Sequence, residues 1–184
     1  MKKTILLAAG LTLLLTGCAG HELSNVSLVR VLGIDGGGPV TVTAVAGAED
    51  ERAIFCCAGE DVPAAQAVLA TLGSERLAVT HMGQVVLGED VSVQCLWDEV
   101  VQRESGYGAT VWLAEEGTAC DLLADANDPA GRLKHLEESG VAAPTLLEAV
   151  SALVREGEVT APVLGLRDRE LEVVDWRALK GEFR

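Results

Sequence analysis

Five cysteines and three histidines carry most of the nucleophilic and metal-binding capacity of this 184-residue chain. A reactive thiol or a metal-binding ring needs a partner at a defined spacing. His21, His81 and His135 stand far apart, and none has a second His or Cys at the spacing of a zinc site. His21 near the amino end and His135 in a charged helical segment are expected to be solvated. His81 interrupts an apolar run and reads as a hydrogen-bonded, partly buried strand residue. The acidic pairs Glu89-Asp90, Glu115-Glu116 and Glu137-Glu138 are sequence neighbours, which rarely face one reaction centre. They read as solvated turns and helix ends. Asp125, Asn127 and Asp128 offer oxygens to calcium, but the EF-hand pattern with its Gly and closing Glu is absent. No G-x-S-x-G elbow occurs. Asp35-Gly36-Gly37-Gly38 is glycine-rich, yet no lysine follows and the next segment is a strand. It reads as a hairpin turn, not a phosphate cradle. These residues point to a non-enzymatic domain that holds no cofactor and no metal.

The cysteines divide into two groups. Cys56, Cys57, Cys95 and Cys120 are even in number, which permits disulfides outside the cytoplasm. They lack C-x-x-C spacing, and adjacent Cys56 and Cys57 are poorly placed to bond each other. A chain of this length builds a core without staples, so these four are expected to be mostly buried, apolar-like thiols.

Cys18 is different. Lys2 and Lys3 precede an apolar run from Ile5 to Leu15. That run is far shorter than the ~20 residues of a membrane-spanning helix. A positive start, a short apolar core and small residues before a cut site define a secretory signal peptide over residues 1–17. Leu14-Leu15-Thr16-Gly17-Cys18 resembles the lipobox of bacterial lipoproteins. That resemblance implies a diacylglyceryl group on the Cys18 thiol and cleavage just before it. Each buried CH2 contributes ~0.8 kcal/mol, one acyl chain holds a protein only marginally, and two or three anchor it. The polypeptide itself then need not insert into the bilayer.

Cleavage removes two of the 14 basic side chains and none of the 28 acidic ones, so the formal charge of −14 becomes more negative. Such a surface repels phosphate backbones, which argues against nucleic-acid binding. It is also repelled by anionic headgroups, so a lipid rather than charge would hold the chain at a membrane. Residues 18–184 suit a single domain with a sizeable core.

The elements that must position these residues follow from periodicity. Strands are expected at residues 28–34, 39–46, 77–88, 109–114, 159–166 and 170–176. A helix over 61–73 has Asp61 as cap, Pro63 in the first turn and Val68, Leu69 and Leu72 as its apolar face. The clearest helical pattern, 92–103, places Val93, Leu96, Trp97, Val100 and Val101 on one face. Shorter helices are expected at 118–124 and 131–139, with a turn at Asn127-Asp128-Pro129 between them. A helix at 145–156 carries Leu146, Leu147, Val150, Leu153 and Val154 on one side. The order β-β-α-β-α-β-α-α-α-β-β predicts an α+β fold, a mixed β-sheet with packed helices.

In this order and spacing the segments resemble the amino-terminal domain of the Ger(x)C family, the lipoprotein C subunits of nutrient germinant receptors in spore-forming bacteria. The likeness begins at Gly17-Cys18 and runs through Glu22-Leu23 and Leu32-Gly33-Ile34-Asp35 to Val40-Thr41-Val42-Thr43. It resumes at Gly59 and the helix after it. It is most specific at His81 and Val85-Val86-Leu87-Gly88-Glu89. It continues in Arg103-Glu104, in residues 111–123 with Ala119 and Leu122-Leu123, and in the last strand pair with Pro162. Family members carry an aromatic and an acid just after the cysteine, where this chain has Ala19-Gly20-His21, and they continue into further domains. The resemblance implies a non-catalytic spore germination lipoprotein, or a shortened relative. Lipid attachment would be at Cys18. Its partners would be the membrane-embedded A and B receptor subunits and the lipid bilayer, and its location the outer face of the spore's inner membrane. Two other readings stay open on the residues alone: an unrelated surface lipoprotein that binds a small ligand or envelope protein, and a thiol-dependent or metal enzyme using Cys56 and Cys57.

Overall fold

In the computed structural model the described residues are 26–47, 52–72, 76–79, 82–92, 95–96 and 106–181. The leader with Lys2, Lys3 and Cys18 lies outside them, as do His21, Glu22-Leu23 and His81. So do Gly73 and most of the 92–103 helix, with Val93, Trp97, Val100, Val101 and the following Glu104.

The elements run β1 (Val26–Asp35), β2 (Val40–Ala46), β3 (Ala53–Gly59), α1 (Val62–Leu69), β4 (Arg76–Ala78), β5 (Gln84–Leu87), β6 (Thr110–Ala114), α2 (Ala119–Asp125), α3 (Pro129–Glu138), α4 (Leu146–Glu156), β7 (Glu158–Arg167) and β8 (Glu170–Lys180). The fold is α+β with a mixed sheet, as the sequence pattern predicts. The sheet order is β3-β2-β1-β5-β6-β7-β8, and β4 also pairs with β1. The strands β1, β5, β6 and β7 run parallel. At either side the hairpins β1-β2-β3 and β7-β8 add antiparallel strands.

Helices cover both faces of the parallel centre, and the sequence reflects this. Val31 to Ile34, Gln84 to Leu87 and Val111 to Ala114 are buried throughout. A strand enclosed on two sides reads as a continuous apolar run rather than an alternating one. On one face Val29, Leu32, Ile34, Val85, Leu87 and Val111 pack against α1 and α4. On the other, Val31, Val86, Trp112 and Leu164 pack against α2 and α3. Val29 and Leu32 share a face because β1 has one extra residue, Arg30, between its pairs Val29↔Ala46 and Val31↔Val45. A bulge of this kind shifts the side-chain alternation by one.

Four sequence expectations need correction. The strand β3 lies in a stretch for which the sequence pattern assigns no element, because its Ala-Ile-Phe-Cys-Cys-Ala-Gly composition lacks clear alternation. The expected single strand over 77–88 is two strands, both parallel to β1 but at successive positions along it. In α1 the buried residues are Val62, Ala65 and Leu69, while Val68 and Leu72 face solvent. In α4 the buried stripe is Leu146, Ala149, Val150 and Leu153; Leu147 and Val154 are exposed. In both helices small alanines complete the buried face, and reading only the large side chains rotated it.

Local capping explains where the helices begin. Asp61 accepts from Ala64 N at 2.8 Å, and Asp128 accepts from Gly131 N at 3.1 Å. Thr145 and Glu148 form a reciprocal capping box at the start of α4, which Gly157 ends in the left-handed region at φ 77°.

The register of α4 makes adjacent leucines an informative pair. Leu146→Ala should destabilise the protein by about 2–5 kcal/mol through the cavity it leaves. Leu147→Ala should stay within about 0.5 kcal/mol of wild type. Urea unfolding of the two variants checks this, and equal losses would contradict the assigned face.

Candidate functional site

Asp35 is the polar residue on which the carboxyl edge of the sheet is organised. It ends β1 and is only 6% exposed. Its Oδ1 accepts the Ala119 N–H at 2.5 Å and its Oδ2 accepts the Cys120 N–H at 3.1 Å. These are two of the first N–H groups of α2, which have no carbonyl partner within the helix. The Thr118 hydroxyl takes a third, from Asp121, at 3.0 Å. At the other end of α2, Arg52 Nη1 donates to Ala126 O at 2.6 Å and Arg169 Nε donates to Asp125 O at 3.1 Å. A carboxylate at the amino end and guanidinium groups at the carboxyl end both complement the helix dipole.

Two glycines make room for this arrangement. A Cβ on Gly88, just after β5, would collide with Asp35 Oδ1. A Cβ on Gly33 would press on Leu123, Thr43 and Ala119 at 3.0–3.2 Å, so α2 packs closely over β1 and β2. Burial pushes the Asp35 carboxyl above its ordinary range. The Ala119 and Cys120 N–H bonds act in the opposite direction, and the neighbouring charge of Asp121 raises it further.

The position has a wider meaning. In open sheets with parallel strands, ligands bind outside the carboxyl ends of the strands, where the strand order reverses. Here that point lies between β1 and β5. The amino end of the helix there faces the chain's own carboxylate.

The structure disperses the other candidates. His135 is exposed on α3. Glu89, Asp90, Glu115, Glu116 and Glu138 are exposed, as expected for solvated acids. Glu137 differs: it is half-buried and accepts from the Thr110 hydroxyl and, at 3.4 Å, from Gln84 Nε2. Thr110 Oγ1 in turn accepts the indole N–H of fully buried Trp112 at 2.9 Å. This polar chain satisfies the indole at the amino ends of β5 and β6, the edge opposite Asp35. Asp125, Asn127 and Asp128 do not converge, because Asp128 caps α3 and Asn127 Nδ2 donates to Glu170 at 3.4 Å. Among the described residues no group of three His, Cys, Asp or Glu is placed to hold a metal.

The cysteines are corrected in part. Cys57 and Cys95 are buried free thiols, as expected. Cys56 and Cys120 form a disulfide across 64 residues, joining β3 to α2 with Cα atoms 6.9 Å apart. Sequence adjacency concealed this. In a strand neighbouring side chains point to opposite faces, so Cys56 points to α2 and Cys57 to the other core. The sequence likewise gives Asp35 no role beyond the turn and the segment of resemblance; its signal is an acid closing an apolar run.

No family model, curated protein or solved structure matches this chain. Cys18, the one predicted attachment site, lies outside the described residues. No helix among the described residues is long and apolar enough to cross a membrane.

The raised pKa of Asp35 has a definite sign in stability. Its native value lies above the ordinary 3.8, so the folded state holds this proton more readily than the unfolded one. The contribution is complete below the unfolded value and is lost as pH rises through the native value. Wild type should therefore gain stability relative to the non-titrating Asp35→Asn variant as pH falls from neutral towards about 4. Urea unfolding of both proteins across that range measures the difference. A gap moving the other way would show that the two N–H donors outweigh desolvation.

Proposed function

We propose that this protein is a lipid-anchored, non-catalytic subunit of a spore nutrient germinant receptor. The observation that carries the reading is the amino-terminal sequence, in which Lys2-Lys3, a short apolar core and Leu14-Leu15-Thr16-Gly17-Cys18 follow one another in lipoprotein order. Cys18 is the acylated residue, and the lipid holds the chain on the outer face of the membrane, the spore's inner membrane in this reading. The arrangement of segments from Leu32-Gly33-Ile34-Asp35 through Val85-Val86-Leu87-Gly88-Glu89 supports the germination part of the proposal.

The fold is compatible with a role as surface rather than catalyst. Asp35 and Gly88, both within the segments of resemblance, act on α2 of the same chain. Their geometry accounts for them as packing residues. Membrane-embedded A and B subunits are the proposed partners. Confinement to the same membrane raises the effective concentration of the chain around them, as linking two modules does.

Replacing Cys18 with Ala should abolish incorporation of labelled fatty acid and shift the protein from the membrane to the soluble fraction. Unchanged labelling would remove the anchor from the proposal. The receptor role is tested separately, by detergent extraction of spore membranes and by germination of a deletion strain on several nutrients. Co-purification of the A and B subunits and slowed germination on at least one nutrient are expected. Wild-type germination on all of them, with no co-purifying subunit, would sink the receptor role and leave the anchor intact.

A further inference from the structure

The Cys56–Cys120 bond differs from the other cysteines in access. Cys56 is exposed and Cys120 half-buried, whereas Cys57 and Cys95 are buried. Cys57 lies on the opposite face of the same strand, and burial pushes its thiol pKa up, so it supplies little thiolate. Neither buried thiol is placed to reshuffle with the bond. The bond also secures an unusual edge. Among the described residues the strand β3 ends the sheet, and it contains no charged residue or proline. Its pairing with β2 shows no register shift. Charges, prolines and bulges are among the devices that keep an edge strand from pairing with other chains, and β3 itself carries none of these three. Besides its ladder with β2 and the packing of α1 on one face, β3 has a covalent link on the other face to α2, which Asp35, Arg52 and Arg169 hold in place.

We propose that Cys56–Cys120 is a thiol-exchange site for an external dithiol, and that its redox state controls access to the β3 edge. A thiolate of the dithiol attacks Cys56 Sγ, the more exposed sulfur. A mixed disulfide forms at Cys56, the Cys56–Cys120 bond breaks, and the Cys120 sulfur leaves with the electron pair and takes up a proton. The second thiol of the dithiol then attacks its own sulfur in the mixed disulfide. Cys56 leaves and is protonated, and the dithiol departs as its cyclic or intramolecular disulfide. Two electrons and two protons pass from the dithiol to the protein. The Thr43 hydroxyl, 3.3 Å from Cys56 Sγ, can donate a hydrogen bond to the departing Cys56 thiolate.

The first test is alkylation of the native full-length chain before and after dithiothreitol, with the labelled cysteines mapped by mass spectrometry. Cys56 and Cys120 should be protected before reduction and labelled after it in native buffer, with Cys57 and Cys95 unlabelled. Labelling without reductant, or reduction that requires denaturant, would overturn the site. The attacked sulfur is identified with single variants and glutathione disulfide. Cys120→Ser should form a mixed disulfide at Cys56 roughly tenfold faster than Cys56→Ser forms one at Cys120; equal or reversed rates would overturn the assignment. Finally, hydrogen exchange of the wild-type chain should quicken at least roughly tenfold in β3 on reduction, with β5 and β6 unchanged. Unchanged protection of β3 would overturn its control by the bond.

Discussion

The acceptance of two α2 N–H groups by the Asp35 carboxylate is the constraint on which the carboxyl edge of this sheet depends. A short helix has little stability of its own, since the nucleus consumes much of what a few hydrogen bonds return. The helix α2 persists because each end is held from elsewhere in the chain. Asp35 comes from β1, Arg52 from just before β3 and Arg169 from the turn between β7 and β8. The donors and acceptors of one short helix thus connect strands from opposite ends of the sheet. Gly33 and Gly88 follow from the same requirement, because a side chain at either would press into α2 or into the carboxylate that holds it.

The opposite edge is organised by a different requirement. Trp112 is fully buried in the face covered by α2 and α3, and its indole N–H needs an acceptor there. Thr110 supplies it, and Glu137 on α3 accepts from Thr110 and Gln84. The two clusters divide the work between the ends of the sheet. At the carboxyl ends of the parallel strands a buried acid seats α2; at the amino ends a relay of side chains seats the last turns of α3. Between them the parallel strands are buried on both faces, so alternation alone distinguishes a one-residue slip poorly, and the polar contacts at the two ends are what such a slip would break.

What was legible in the sequence follows from these constraints. The turn between β1 and β2, the strand pattern around Val111, the Asp61 cap and the helix starts near Thr118 and Thr145 could be read because local chemistry decides them. The strand β3 could not, since its place is set by a long register with β2 rather than by alternation of its own residues. The break between β4 and β5 was hidden because both pair with one long β1, whose extra residue Arg30 falls between the two pairings. Asp35 is the instructive case. Its sequence neighbours make a turn, and its function in the fold depends on groups 84 and 85 residues away. Cys56 and Cys57 show the converse, since adjacency suggested a shared role and the pleat separated them.

A lipid anchor on Cys18, as proposed, would act on this domain through distance as much as through affinity. Seven residues separate Cys18 from Val26, the first residue of β1. At ~3.3–3.6 Å per residue their full extension is about 25 Å. The cleaved chain, more negative than the −14 of the full sequence, would be repelled by anionic headgroups, but that repulsion decays over a Debye length of about 8 Å at physiological salt. An anchor at Cys18 would therefore be far enough along the sequence from β1 for the folded part to stand clear of the surface potential. Charge would then not set a single orientation of the domain. A partner embedded in the same membrane would meet it at high local concentration, and the choice of contact face would fall to shape and to the few exposed apolar side chains, such as Trp176 and Val174 on β8.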